Sequence, residues 1–202
     1  MMQELFQPLV LASASPRRRS ILQQLGVAFD VIPSGVEEKR TSGEPPAAFA
    51  GRMAALKAKD VAERLGSEGN RCFVLGADTI VVIDEQVLGK PANDEEARGM
   101  LLRLCGRTHE VITAVALVRA GESLQRDLLV STRVSFRSLD ASAVARYVSS
   151  GEGRDKAGSY AIQGLGVGLV SEIDGSYSNV VGLPAVQTIE LLVGAGALGQ
   201  WP

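Results

Sequence analysis

Stretches with the apolar spacing of helices alternate along this chain with short apolar runs that are typical of buried strands. The predicted strands are residues 9–12, 29–32, 73–83, 87–88, 111–118, 124–136 and the glycine-rich, strand-like segment 160–173. The predicted helices, with their caps, are residues 15–26, 45–65, 93–106, 140–149 and a last one that begins at residue 184. This alternation, with one hairpin around Ala120-Gly121, predicts an α/β fold with a mixed sheet.

Several helix ends are marked by residues with known capping preferences. Ser15 is a predicted N-cap because Pro16 follows it at the first helical position, and Gly26 ends the same helix. Asn93, with a glutamate three positions later, resembles a capping box. Asp140 is the predicted N-cap of a later helix.

Composition places the chain among packed globular proteins. Of its 202 residues 46% are hydrophobic and 22% are charged, and the net charge is −2, which favours neither disorder nor general nucleic-acid binding. No apolar run approaches the ~20 residues of a membrane span, and no signal pattern opens the chain. We therefore expect a cytoplasmic protein with a short lead, residues 1–8, and one α/β domain, residues 9–202. Cys72 and Cys105 are expected to be buried free thiols.

A basic segment, residues 13–19, lies between the first predicted strand and the first predicted helix. A helix N-terminus offers free backbone N–H groups, and the hydroxyls of Ser13 and Ser15 and the arginines that follow add further donors for a phosphate. The alternative is a solvated first turn, although cations there are unfavourable by roughly 0.3–1 kcal/mol each. Three arginines at this position favour an anion as their partner.

Asp78 interrupts the apolar run of the predicted strand 73–83. A buried carboxylate is costly unless it is paired or binds a metal. Pairing with an arginine is one interpretation, and a metal ligand or general base is the other.

Two lysines and an acidic pair are either ordinary structural or solvated residues or ligands of a phosphate or a metal ion. Lys57 shares a helical face with Ala50, Ala54, Val61 and Leu65, so its ammonium group either reaches solvent or meets a phosphate. Lys90 lies between glycine and proline on a stiff turn that is not a Walker A loop. Glu37 and Glu38 are either solvated or, with Asp78, oxygen ligands of a divalent ion.

No covalent nucleophile is evident. His109 is the one histidine of the chain and is predicted to be structural or at the surface, and no nucleophile-elbow motif accompanies it. The run Gly164-Leu165-Gly166-Val167-Gly168 is not a dinucleotide fingerprint. Arginines, lysines and carboxylates together suit metal-assisted attack of water on a phosphate ester or anhydride.

The chain resembles the Maf family from about residue 9 to residue 192. The resemblance lies in the order and spacing of several short stretches: Leu11-Ala12-Ser13 through Arg18, Gly76-Ala77-Asp78-Thr79, Gly89-Lys90-Pro91, Asp155-Lys156-Ala157-Gly158 with Ile162-Gln163-Gly164, and Val181-Gly182-Leu183-Pro184. Each stretch is weak evidence alone, and their common order is strong evidence.

The resemblance implies an elongated α/β fold with a mixed β-sheet flanked by helices, in two lobes around a cleft, similar to the inosine-triphosphate pyrophosphatases. It implies hydrolysis of a nucleoside triphosphate to the monophosphate and pyrophosphate with a divalent cation, Mg²⁺ or Mn²⁺. It makes Asp78 the proton acceptor, and places around the phosphates and the metal Ser15, Arg18, Glu38, Lys57 and Lys90. A homodimer is a further expectation.

The family divides by substrate at three positions, which here are Arg17, Thr79 and Gln163. They resemble the branch that acts on dTTP and UTP, whereas a tryptophan, a glutamine and a glutamate mark the branch that acts on 7-methyl-GTP. The alternatives are a 7-methyl-GTP or purine house-cleaning pyrophosphatase, and a nucleotide-binding regulator of septum formation and cell division.

Overall fold

The computed structural model describes residues 8–66, 72–122 and 125–201. The strands are β1 (Leu9–Leu11), β2 (Asp30–Val31), β3 (Phe73–Ile83), β4 (Gln86–Leu88), β5 (Thr108–Arg119), β6 (Gln125–Phe136) and β7 (Val170–Asp174). The helices are α1 (Pro16–Gln24), α2 (Pro46–Leu65), α3 (Asp94–Leu104), α4 (Ala141–Ser149), α5 (Tyr177–Val181) and α6 (Ala185–Gly194). The α/β class is confirmed. The predicted lead lies outside the described residues except for Pro8.

One mixed sheet connects the strands. Within the described residues it has seven strands in the order β2-β1-β3-β5-β6-β7, and β4 pairs with β3. β1 is parallel to both β2 and β3, whereas β4 is antiparallel to β3 and β7 is antiparallel to β6. Parallel neighbours need long crossover connections, and α1 and α2 provide them, which is why the helices alternate with the first three strands.

The chain divides into two compact units, and the boundaries fall inside β3, β5 and β6 and, after α5, between Val181 and Gly182. The first unit comprises, within the described residues, the chain up to Asp78, Thr113–Val130 and the chain from Gly182 onward. Its buried side chains include Leu11, Leu22 and Met53.

The second unit comprises Thr79–Ile112 and Ser131–Val181. Its core is one apolar cluster in which Leu101 and Leu104 of α3 and Val144 and Val148 of α4 pack together. The apolar spacing of α3 and α4 thus buries one face of each helix in this core.

The predicted helix caps are confirmed. The Ser15 side chain accepts from the backbone of Arg18, Asn93 Oδ1 accepts from the Glu96 amide at 2.9 Å, and Asp140 Oδ1 accepts from the Ala143 amide at 2.7 Å. These bonds satisfy N–H groups that the first helical turn leaves without intrahelical partners.

The prediction of a strand-like segment 160–173 is wrong for its larger part. Gly164–Leu169 forms a 3₁₀ helix, and the strand begins only at Val170. Gly164 has a φ of 65°, and a Cβ there would lie 2.0 Å from Glu152 Oε1, so this glycine permits a tight turn against a carboxylate. The apolar residues between the glycines resemble the pattern of a strand. The 3₁₀ turn depends on contacts with residues outside the segment, which the local pattern does not reveal.

Two smaller predictions can be compared with the structure. Both cysteines are free, but only Cys72 is buried, and Cys105 is partly exposed. Within the described ranges, the structure contains no helix of the length and apolar character that a membrane crossing requires.

Candidate active site

The carboxyl ends of β1 and β2 lie together at one edge of the parallel part of the sheet, and β3 runs on past them. In the register of these strands, Leu11 of β1 lies opposite Val31 of β2 and Leu75 of β3. The turn after β1 and the loop after β2 therefore leave the sheet at the same edge, where Asp78 lies further along β3. The carboxyl ends of parallel strands are where α/β sheets commonly bind ligands.

The first turn of α1, directly after β1, carries a buried arginine. Arg18 donates from Nε to the Gly182 carbonyl at 2.8 Å and from a terminal nitrogen to Ser13 Oγ at 3.0 Å. Burial lowers the pKa of the Arg18 guanidinium, while the carboxylates of Asp78 and Glu38 act in the opposite direction. The Arg18 guanidinium is thus a fixed cation that interacts electrostatically with the carboxylates of Asp78 and Glu38.

Lys57 of α2 connects the two predicted carboxylates. Its Nζ donates to Asp78 Oδ1 at 2.6 Å and to Glu38 Oε1 at 2.6 Å. The side chains of Lys57 and Asp78 are 9% and 8% exposed, whereas that of Glu38 is 42% exposed. The group therefore has a buried end at Asp78 and a solvent-facing end at Glu38.

Close packing of α2 on β3 makes this contact possible. Gly76 precedes Asp78 by two positions, so both residues face the same side of the strand. A Cβ at Gly76 would lie 2.3 Å from the Ala54 carbonyl oxygen and 2.7 Å from the Ala58 nitrogen. Glycine thus allows the helix backbone to lie directly against the strand, which brings Lys57 within reach of Asp78.

The loop that carries Glu38 is held along its length by α2. At its start, Asp60 Oδ2 accepts from the Gly35 amide at 3.0 Å. At its end, Arg52 donates two hydrogen bonds of 2.6 Å to the carboxylate of Glu44. The hydrogen bonds from Arg52 lower the pKa of Glu44 to about 2. Glu38 lies between these two attachments, so its position depends on α2 and not on the loop alone.

Three further predicted site residues belong to the second unit. Thr79 is half-buried on β3, and Lys90 and Gln163 are exposed. The Gly158 amide donates to the Gly89 carbonyl at 3.1 Å, so two of the short motifs of the sequence contact each other. Gln163 immediately precedes the 3₁₀ helix Gly164–Leu169.

The structure brings together Ser15, Arg18, Glu38, Lys57 and Asp78 within the first unit. Arg17, which is half-buried, lies on the same helical turn. Asp78 is paired, as one interpretation required, although the partner is a lysine and not an arginine. Glu37 instead forms an ion pair with Lys39 at the surface, where the side chain of Glu37 is 71% exposed.

Sequence reasoning included Ser13 in the basic segment but missed its contact with Arg18, and it missed the carbonyl of Gly182 and the role of Gly76. All three residues lie in the stretches that carry the family resemblance, but no spacing rule connects residues as far apart as Arg18 and Gly182. His109 is buried, with its Nε2 2.8 Å from the Tyr160 hydroxyl, so it is structural as predicted.

The oxygen ligands for a cation are few. The part of the chain that the structure describes contains no cluster of three or more histidine, cysteine, aspartate or glutamate residues with metal-binding geometry. Two carboxylates, Glu38 and Asp78, nevertheless have oxygens within hydrogen-bonding distance of one nitrogen. Mg²⁺ is commonly held by one or two carboxylates together with substrate phosphates and water, so this pair fits such an ion.

Comparison with known protein families decides the relationship of the chain. The model of a family described as Maf-like protein matches residues 8–195, which is most of the 202-residue chain. The chain belongs to the Maf family. Every stretch that carries the sequence resemblance lies inside the matched range, and the resemblance is confirmed.

Relatives of this Maf protein match over nearly their whole length. A dTTP/UTP pyrophosphatase of Myxococcus xanthus is 49% identical over 193 residues, which cover 96% of this chain and 95% of the relative. A dTTP/UTP pyrophosphatase of Alcanivorax borkumensis is 49% identical over 185 residues, covering 91% and 93%. A dTTP/UTP pyrophosphatase of Escherichia coli O157:H7 is 48% identical over 192 residues, covering 95% of each chain.

A more distant likeness exists among solved structures. The Staphylococcus aureus Ham1 protein superposes with a TM-score of 0.39 and 14% identity, covering 64% of this chain and 72% of that chain. Such a partial superposition says nothing further about the site.

Proposed function

We propose that this Maf protein hydrolyses dTTP and UTP to the monophosphate and pyrophosphate. The observation that carries the proposal is Asp78, a buried carboxylate of β3 that pairs with Lys57 and interacts with the charge of Arg18. Three relatives with that named activity match this chain almost end to end, which supports the choice of substrates.

Asp78 is the proposed general base. It accepts a proton from a water whose oxygen forms a bond to the α-phosphorus, while the bond to the bridging oxygen breaks and pyrophosphate leaves with the electron pair. The residues proposed to bind the phosphates are Ser15, Arg18, Lys57 and Lys90. Fixed cations aimed at the phosphate oxygens stabilise the charge that develops on the leaving group.

A divalent cation, Mg²⁺ or Mn²⁺, is the proposed cofactor, and Glu38 and Asp78 would hold it. When bound, it supplies positive charge that polarises the phosphate oxygens. Lys57 donates to the same two carboxylates and would repel a dication beside it. We therefore expect cation binding to depend on the triphosphate, whose negative charge offers the lysine another partner.

Arg17, Thr79 and Gln163 are the proposed determinants of base specificity. A glutamine amide has both a donor and an acceptor, which match O4 and N3–H of thymine or uracil. The role of all three residues rests on the family resemblance.

The test measures pyrophosphate release from dTTP, UTP, 7-methyl-GTP and ITP with Mg²⁺, with Mn²⁺ or with EDTA. We expect release from dTTP and UTP that requires a divalent cation. Release mainly from 7-methyl-GTP or ITP would contradict the substrate assignment while leaving the chemistry intact. Nucleotide binding without release from any of the four would contradict the hydrolase and favour a binding protein.

A further inference from the structure

The turn that carries Gln163 is attached to a carboxylate that the roles above do not use. Glu152 follows α4, and its Oε1 accepts from the Leu165 amide at 2.8 Å. Its Oε2 accepts from the Gly166 amide at 2.8 Å and from the Tyr147 hydroxyl at 2.8 Å. One side chain therefore receives three hydrogen bonds, two of them from the backbone of the turn.

Tyr147 holds the other side of the same segment. Its hydroxyl oxygen accepts from the Ala161 amide at 3.1 Å while its proton goes to Glu152. Gln163 lies between Ala161 and Leu165, so the backbone is attached on both sides of it. Tyr147 is buried in the core of the second unit, which makes it a rigid point of attachment.

The charge of Glu152 is compensated locally. Burial alone would raise the pKa of this carboxyl, but the hydrogen bonds from Tyr147, Leu165 and Gly166, together with the charge of Lys156, lower it overall. A carboxylate that accepts several hydrogen bonds is stabilised in its charged form. Glu152 is therefore an ionised acceptor that organises backbone donors.

We infer that Glu152 and Tyr147 are positioning residues that set the base specificity by fixing the backbone on both sides of Gln163. This inference rests on the proposed function, because it assigns Gln163 to the base. An exposed glutamine discriminates between bases only if its amide is held in one place, and a shift of about 1 Å is enough to cost roughly 100-fold in rate.

The test uses Glu152→Gln, which keeps the shape of the side chain. A single amide oxygen cannot accept from all the donors that face the carboxylate, so the turn loses part of its attachment. Tyr147→Phe is the second variant, since it removes only the hydroxyl. Asp94→Asn is the matched control, because Asp94 pairs with Arg154 near the same loop but does not contact the turn.

For each variant, kcat and KM are measured with dTTP, UTP and dCTP, whose cytosine presents the opposite donor and acceptor pattern. We expect Glu152→Gln and Tyr147→Phe to lower the preference for dTTP over dCTP by roughly 10-fold or more, mainly through KM, and Asp94→Asn to leave it unchanged. In a Gln163→Ala background, Glu152→Gln is expected to have no further effect on the preference.

An equal loss of kcat for all three substrates, or the same effect of Glu152→Gln with and without Gln163, would overturn the inference. Hydrogen exchange of the Leu165 and Gly166 amides gives a readout that needs no nucleotide, and we expect it to be faster in Glu152→Gln than in Asp94→Asn. Unchanged exchange also overturns the inference. Failure of the proposed function is distinct, because wild-type protein would then release no pyrophosphate from dTTP or UTP.

Discussion

At the scale of single residues, the pairing of Lys57 with Asp78 is better explained by chemistry than by stability. Both side chains are nearly excluded from water, and removing an ion from water costs several kcal/mol even in a real protein. Apolar residues of similar volume at such positions are often equally or more stabilising. A buried charged pair in the middle of β3, whose aspartate also interacts with the charge of Arg18, is therefore expected where the charges take part in chemistry.

Replacing Asp78 with asparagine tests the role of its carboxylate. Asp78→Asn keeps the side chain's shape and removes the proton acceptor, so we expect kcat for dTTP to fall roughly 10²–10⁴-fold, the usual contribution of general acid–base catalysis. Circular dichroism is expected to show a folded protein. The measurement is steady-state pyrophosphate release with saturating nucleotide and cation.

Asp84→Asn is the control for that variant. Asp84 lies in the turn after β3, is exposed and pairs with Arg107. The substitution therefore removes the same carboxylate charge from an ion pair outside the candidate site. We expect near-wild-type turnover from it. Near-wild-type turnover of a folded Asp78→Asn protein would show that another group accepts the proton.

At the scale of elements, α2 organises the candidate site residues of the first unit. It supplies Lys57, it lies directly on β3 at Gly76, and it holds both ends of the loop that carries Glu38 through Asp60 and Arg52. A displacement of this helix would therefore move the lysine, the loop and Glu38 together.

Gly76→Ala is expected to produce such a displacement. The added methyl group would overlap the backbone of α2, and overpacking of this kind typically costs about 1–3 kcal/mol in the free energy of unfolding. We expect a loss in this range in urea denaturation, together with a lower kcat for dTTP. Because α2 moves away from β3, Lys57 is expected to lose its hydrogen bond to Asp78.

Gly51→Ala is the matched control, since Gly51 lies on α2 and a Cβ there would meet nothing within 4 Å. Alanine is expected to stabilise the helix by roughly 0.5–1 kcal/mol there and to leave activity unchanged. Equal stability of the Gly76→Ala and Gly51→Ala proteins would contradict the close packing of α2 on β3.

His109 connects β5 to two other segments of the second unit. Its ring packs edge-to-face against Phe136 at 5.1 Å and Tyr160 at 5.4 Å between ring centroids. Burial lowers the pKa of His109 to about 4. In the unfolded chain His109 is protonated as the pH falls below about 6.5, whereas in the folded protein it stays neutral until about pH 4. The folded state therefore loses stability relative to the unfolded state as the pH falls from 6.5 toward 4.

We expect this histidine to account for about 2 kcal/mol of the stability lost between pH 7 and pH 5, from its lowered pKa. The measurement is the free energy of unfolding of wild type and His109→Gln across that range. We expect the variant to be less stable than wild type at pH 7, because it loses ring packing, and we expect the difference to shrink toward pH 5. A constant difference would mean that His109 takes no part in the pH dependence.

At the scale of the whole molecule, the chain passes between its two units several times. The boundary lies between Asp78 and Thr79, so one strand carries the proposed base in one unit and a proposed specificity residue in the other. Because Asp78 and Thr79 are consecutive residues of β3, the peptide bond between them fixes the distance between their Cα atoms.

Nucleotide binding is expected to stabilise the folded protein. A ligand at a hundred times its Kd contributes about 2.7 kcal/mol, which corresponds to a rise in Tm of roughly 5–10 °C for a chain of this size. The measurement is thermal denaturation with a nonhydrolysable α,β-methylene analogue of dTTP, with and without Mg²⁺. A shift that is as large with the corresponding analogue of dGTP would contradict pyrimidine selectivity.

Much of the fold was accessible from local signals. β3 has the predicted bounds, and the caps at Ser15, Asn93 and Asp140 lie where their side chains and spacing predicted them. These signals act over a few residues, through hydrogen bonds to the first helical turn and through side-chain alternation, so they are visible without knowledge of the fold. The segment before β7 was mispredicted because its shape depends on Glu152, a residue outside it.

The sequence by itself determined the α/β class, most element boundaries, the family and the set of candidate residues, because each depends on local chemistry or on the order of short motifs. Only the tertiary structure decided which of those residues meet. It paired Lys57 with Asp78 and Glu38, it tied Arg18 to Gly182, and it placed Glu152 under the turn of Gln163. Such contacts join distant parts of the chain, and parallel strand order and close packing at glycine, not local propensity, bring them together.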